Sequence, residues 1–314
     1  MRGLRSLRSA VVVLAAVAVA PALAADAPRP DKVSFYFAAH EDDWQLFMNP
    51  SAFEDVTGGA KTVFIHVTAG DDGLGVGSGG RAHPYYLARE HGADNAIRFM
   101  ADADRVPAND AVSSPAFNGH TVRRISYRGT VRYFLRLPDG NVSGEGFAGT
   151  AWQSLKRFAA GDIKILTAID DSARYRGWDD LVATVHAIMA FERGNAALVQ
   201  LNVADLDAHI NPDDHSDHLL TARLALDAAK DLGCVRRVYY VDYASAKLPG
   251  NLGARERDME SSVFAVTLAG VLAFGHGTSW HHYDESYVGK NYFRVDEPAA
   301  GCNAARTHVA AAPR

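Results

Sequence analysis

Residues 33–43 read VSFYFAAHEDD, an apolar, β-branched and aromatic run that ends abruptly in four ionisable side chains. A short run of this kind predicts a strand buried on both faces. His40, Glu41, Asp42 and Asp43 would be expensive inside a core, so the chain must leave the sheet there. In open α/β sheets, ligands and catalytic groups gather at the carboxyl ends of the strands, where this tetrad falls. A three-residue spacing around a turn lets His40 and Asp43 converge while Asp42 points elsewhere.

Working outward, residues 62–69 (TVFIHVTA) read as a second buried strand. Between the two, residues 43–53 have helical spacing interrupted by Pro50. Residues 73–80 are a Gly-rich loop and residues 85–101 a helix. Residues 122–127 and 131–137, joined by Arg128-Gly129-Thr130, read as a hairpin. Helices are expected over residues 152–160, 178–192, 218–232 and 255–270, and strands over 197–203 and 235–243. Strands alternating with helices predict a mainly parallel sheet covered on both faces, a Rossmann-like three-layer α/β sandwich. The aromatic segment 280–293 closes the fold, and the Ala-rich residues after Glu297 read as a loose tail.

A second ionisable run, Asp213-Asp214-His215-Ser216-Asp217-His218, lies between the strand at 197–203 and the following helix. Each run alone reads equally well as a solvated acidic turn with a helix-capping Asp. Both on one sheet edge offer enough imidazole and carboxylate for a two-His, one-carboxylate zinc site with an open position. Zinc lowers the pKa of its water to about 7 and polarises an acyl oxygen, so an amide becomes hydrolysable without a Ser or Cys nucleophile. A carboxylate base and a nearby imidazole complete such a site.

With Ala39-His40-Glu41-Asp42-Asp43-Trp44 and His215-Ser216-Asp217-His218 in this order, the chain resembles the PIG-L (LmbE-like) de-N-acetylases, in an exported bacterial form. That family carries AHPDDE after its first strand and an HPDH-type motif late in the domain. Residues 68–73, Arg89-Glu90-His91-Gly92-Ala93 and Leu137-Pro138-Asp139-Gly140 agree as well. The likeness runs over residues 32–293. It implies zinc on His40, Asp43 and His218, with Asp42 as general base. His215 would stabilise the oxyanion or protonate the leaving amine, and Asp217 would orient His215. The reaction implied is removal of an N-acyl group, acetyl above all, from an amino sugar or glycoconjugate. Two positions depart from the motif: Glu41 replaces its Pro and Trp44 its terminal Glu. An aromatic at Trp44 suits stacking on a sugar ring, and Arg89 and Asp139 are further candidates for substrate contact. The alternative from another class is a catalytically silent carbohydrate-binding protein on the same fold.

Arg2, Arg5 and Arg8, an apolar run and Ala22-Leu23-Ala24 form a signal-peptide pattern over residues 1–24. The run of roughly a dozen residues is too short to span a bilayer. The expectation is export to the periplasm or medium without a stable membrane anchor, residues 25–297 forming the deacetylase domain and 298–314 the tail. Loss of the leader arginines takes the formal charge from −5 to −8. An acidic chain without a basic run is a poor partner for nucleic acid. Cys234 and Cys302 are either a disulfide or two buried thiols. Gly75 to Gly80 spell G-x-G-x-x-G, but too far from the strand's end for a dinucleotide site, and read as a loop at the pocket rim. His83 and Glu90 also offer substrate contacts, with a surface pair on the helix as the plainer reading. His276, His281 and His282 read as solvated histidines among aromatic residues.

Overall fold

Alternate residues of the first strand, β1 (Lys32–Ala38), feed two separate cores: Val33, Phe35 and Phe37 one, Tyr36 and Ala38 the other. The computed structural model describes residues 31–103 and 105–298 together with Cys302. The leader expected at 1–24 and most of the tail lie outside these residues. After β1 come α1 (Asp43–Phe47) and α2 (Ser51–Thr57), which divide the expected helix at Pro50. β2 (Lys61–Thr68) and α3 (Tyr85–Ala101) follow. A set of short strands, β3 (Ala111–Ser113), β4 (Ala116–Phe117) and β5 (His120–Thr121), leads into the hairpin β6 (Arg124–Tyr127) and β7 (Thr130–Leu137).

The second half runs α4 (Leu155–Ala160), β8 (Ile165–Thr167), β9 (Arg174–Arg176), α5 (Trp178–Arg193) and β10 (Leu198–Ala204). It ends with α6 (Ser216–Ala228), β11 (Val235–Tyr240), α7 (Ala254–Ala273), α8 (Trp280–Tyr283) and β12 (Phe293–Asp296). The main sheet has the order β12-β11-β10-β1-β2-β7-β6-β3. Its five central strands, β11 to β7, are parallel, and antiparallel strands close both edges. The α/β sandwich with a mainly parallel sheet is therefore the architecture.

Helices α4, α5 and α6 cover the face that carries Val33, Phe35 and Phe37. Helices α1, α3 and α7 cover the other, burying Trp44, Ile97, Met100, Val263 and Phe264 around Phe64. α3 and α7 touch through glycines: a Cβ on Gly92 would stand 2.5 Å from Thr267 O, and one on Gly270 would stand 2.6 Å from Gly92 Cα. Only glycine at both positions permits that approach.

Several boundaries moved for local reasons. α4 begins at Leu155 instead of Trp152 because Ser154 caps it, its side chain accepting from the Arg157 amide at 3.2 Å. α6 begins at Ser216, two residues early, because His215 is its cap. β11 stops at Tyr240, and the turn beyond it carries Asp242 inward. Strands of two to four residues carry too little period to be read from sequence, which is why β3, β4, β5, β8, β9 and β12 were not expected. Cys234 and Cys302 form a disulfide with Cα atoms 5.4 Å apart, so the residue of the tail that is described is tied down.

Candidate active site

β1 is where the strand order reverses, with β2 on one side and β10 on the other. The crevice at such a switch point is the default ligand site of an open α/β sheet. His40, Asp42 and Asp43 follow β1, and His215 and His218 follow β10, so the two ionisable runs face each other across it. The other parallel strands contribute from the same edge: Asp72 follows β2, Asp139 and Asn141 follow β7, and Tyr243 follows β11. All of these except His218 line one cavity of about 260 Å³ with Tyr85, Arg89, Phe147 and Tyr283.

At its floor, three atoms converge. His40 Nδ1 lies 3.4 Å from Asp43 Oδ1, His218 Nε2 lies 3.3 Å from the same oxygen, and the two nitrogens are 3.3 Å apart. Ligands about 2.0–2.1 Å from a tetrahedral zinc are about 3.3 Å from each other, so the triangle has the size a zinc ion requires. The other oxygen of Asp43 accepts the His40 backbone N–H at 2.8 Å, which fixes the carboxylate.

Carboxylates also stand behind both imidazoles. His218 Nδ1 is 2.9 Å from Asp214 Oδ1 and 3.3 Å from Asp242 Oδ2, which puts its proton there and leaves Nε2 a lone pair. His40 Nε2 lies 3.7 Å from Asp217 Oδ2 and 3.9 Å from Asp139 Oδ2. Burial opposes a charged His40, but Asp43 and Asp217 outweigh it and push its pKa up to about 10. His218 is likewise raised, burial being overcome by Asp43 and Asp214. Asp43 is held low, burial being overcome by the two imidazoles. The field thus demands positive charge at this point, and two protons or one divalent cation supply it. His40, Asp43 and His218 fit a zinc ion by donor type, spacing and support.

His215 is different. Its Nδ1 accepts the Asp217 backbone N–H at 3.1 Å, so the proton of the neutral ring sits on Nε2. Burial, then His40 and His218, push its pKa down to about 2, which keeps the ring neutral. Asp42 lines the cavity but belongs to none of the metal-sized groups among the described residues. Its Oδ1 takes a short hydrogen bond from Arg89.

Three expectations need correction. Trp44 offers no ring to a sugar: it is fully buried, packs on Phe64 and donates its indole N–H to His66 at 3.1 Å. Burial pushes the pKa of His66 down to about 4, which keeps it neutral and able to accept. The carboxylate of Asp217 does not hold His215; it accepts the Gly140 N–H at 2.7 Å and faces His40, and only its backbone amide serves His215. Arg89 lines the cavity, yet its guanidinium is engaged by protein oxygens. Asp139 does line the cavity, with Oδ1 accepting the Asn141 N–H. Sequence reasoning gave no role to Asp214 and missed Asp242, though a carboxylate just past the end of β11 was a signal. The Gly-rich loop borders a neighbouring cavity with Leu74, Gly75, Val76 and Gly77. His276 is tied to Arg81 and the His83 carbonyl, and Glu90 to Arg136, so neither is free for a ligand.

No protein-family model and no curated protein matches this sequence. Solved structures do. The A40926 pseudoaglycone deacetylase Dbv21 is 17% identical with a TM-score of 0.41, over 88% of this chain and 100% of that one. The N,N'-diacetylchitobiose deacetylase from Pyrococcus horikoshii is 12% identical with a TM-score of 0.44, over 85% and 84%. The zinc-inhibited form of teicoplanin deacetylase Orf2 is 14% identical with a TM-score of 0.43, over 86% and 99%.

Proposed function

We propose that this chain is a zinc-dependent amidohydrolase that removes an N-acyl group, acetyl in the first instance, from an amino-sugar substrate. The observation that carries this reading is the 3.3–3.4 Å triangle of His40 Nδ1, Asp43 Oδ1 and His218 Nε2, with Asp42 and His215 at the wall above it. Zinc bound there supplies a Lewis acid that polarises the acyl oxygen and makes water a stronger nucleophile. Asp42 takes the proton of the attacking water; Arg89 steadies its Oδ1, and Oδ2 has no protein partner among the described residues. The His215 Nε2–H donates to the acyl oxygen as that atom gains negative charge. Asp42, holding the proton it took from water, returns it to the departing nitrogen. Acetate and the free amine are the products.

The experiment is zinc analysis of the purified chain beside free-amine release from a panel of N-acetylated sugars. About one zinc per chain and zinc-dependent release are expected. Zinc without release from any member would leave the carbohydrate-binding alternative standing. We also propose that the chain works outside the cytoplasm, on the support of its leader pattern and of a disulfide suited to oxidising compartments. An N-terminus near Ala25 in exported protein is the expected result, and one at Met1 ends that proposal.

A further inference from the structure

The wall of the cavity is rich in carboxylates. Asp42, Asp43, Asp72 and Asp139 line it, and Arg89 is the one Lys or Arg among its lining residues. Both terminal nitrogens of the Arg89 guanidinium are already engaged by protein oxygens. One Nη meets Asp42 Oδ1, the other donates to Gly70 O at 3.2 Å, and Nε lies 3.2 Å from Glu41 Oε2. Gly70, at φ +49°, makes this packing available: a Cβ there would stand 2.7 Å from Glu41 Oε2 and 2.9 Å from Arg89 Cζ. The guanidinium already has the Asp42 carboxylate as its counter-charge before any substrate arrives.

A divalent cation at the floor does not reverse the balance. It brings two positive charges and Arg89 one, against four carboxylates from Asp42, Asp43, Asp72 and Asp139. Asp214 and Asp217 stand directly behind. Charges lining a low-dielectric cleft act together on whatever enters it. Asp72 is the exposed member, with no hydrogen-bond or ion-pair partner among the described residues. Its φ of +50° is a conformation that aspartate tolerates better than most residues.

We propose that the site takes amino-sugar substrates that carry a free ammonium group beside the amide, received by Asp72 at the rim, and excludes phosphorylated or carboxylated ones. This rests on the amidohydrolase reading and names its substrate class: a partly deacetylated oligosaccharide, in preference to a sugar linked through phosphate.

The test reads binding, not turnover, so that it stands apart from the reaction itself. Calorimetry on the zinc-loaded full chain compares three disaccharides: the mono-N-acetylated glucosamine dimer, its N,N'-diacetyl form and a 6-phosphorylated diacetyl form. The ammonium-bearing sugar should bind about tenfold tighter than the neutral one and the phosphorylated sugar about tenfold weaker, both gaps narrowing in high salt. Asp72→Asn should bring the ammonium sugar to the neutral level while neutral-sugar affinity and zinc content stay unchanged. Phosphorylated sugar binding as well as the neutral one, an ammonium preference that survives Asp72→Asn, or no binding of any of the three would each overturn the proposal. The expected order without amine release from any N-acetylated sugar would overturn the reaction and leave the charge selectivity intact.

Discussion

Two buried ionic clusters sit at opposite ends of the parallel sheet, and they close their charge in opposite ways. At the amino end, the fully buried Glu192 meets Lys61 at 2.7 Å, Arg124 at 2.6 Å and the Tyr133 hydroxyl. One carboxylate has two cations and a neutral donor, and every charge finds its partner within the chain. At the carboxyl end, His40 and His218 stand among the carboxylates of Asp43, Asp139, Asp214, Asp217 and Asp242, with no Lys or Arg of the described residues inside the ring. His40 Nε2, Asp217 Oδ1 and Asp242 Oδ1 are buried there without a hydrogen-bond partner. Buried polar atoms are nearly always paired, so orphans gathered around one cluster mark a place built for something from outside. The comparison separates a structural charge cluster from a functional one better than burial does.

The largest effect should come from taking a corner out of the triangle. His218→Ala removes one of three ligand atoms and the imidazole that Asp214 and Asp242 face. Metal analysis should fall from about one zinc per chain to nearly none, with amine release at background. Full zinc occupancy in this variant would place the metal elsewhere. Next in size is Asp42→Asn, which keeps shape but cannot accept a proton. It should retain zinc and lose turnover by about 10² to 10⁴. Metal loss in that variant would mean that Asp42 and Asp43 have exchanged roles.

A smaller effect is expected one step out. Asp214→Asn keeps a hydrogen-bond acceptor for His218 Nδ1 but lowers the basicity of the ring. Changes in such supporting residues cost roughly 10- to 100-fold in metal affinity or activity. A chelator titration that finds no difference from the parent chain would show that Asp242 alone orients His218.

The two clusters also differ in how far they can be read from the chain. His40 to Asp43 and Asp213 to His218 are consecutive runs at the ends of apolar strands, so their chemistry is visible beside the element that positions it. Lys61, Arg124, Tyr133 and Glu192 are each ordinary residues in isolation and meet only once β2, β6, β7 and α5 assemble. Asp242 is hidden for the same reason, since its partner is 24 positions away at His218. The errors at Trp44 and Asp217 are of another kind. Both residues were placed in the right neighbourhood with the wrong orientation, because orientation depends on which turn of a helix comes first. Trp44 is one position past Asp43 on α1, which turns it from the crevice to the sheet. His215 caps α6, which gives it the amide of Asp217 and leaves the carboxylate to His40.

The smallest effect on activity, and the sharpest use of the comparison, belongs to Glu192→Gln. Removing the charge leaves Lys61 and Arg124 without a counterion in a largely buried setting, which costs about 3 kcal/mol when one partner of such a pair is lost. Zinc content and amine release should not change, because nothing in this cluster reaches the cavity. The pH dependence follows from the carboxylate's depressed pKa. Burial acts to raise it, but hydrogen bonds from Arg124, Lys61 and Tyr133 outweigh burial and hold it below the usual value. A depressed carboxylate stabilises the fold fully above its unfolded pKa of about 4.3, and that contribution is lost as pH falls through the folded value. The gap between parent and variant in urea unfolding should therefore be constant from about pH 7 to pH 5 and close below about pH 4. A gap that stays open in acid would show that the loss comes from packing and not from charge. A variant that also lost zinc would show that the two ends of the sheet are coupled.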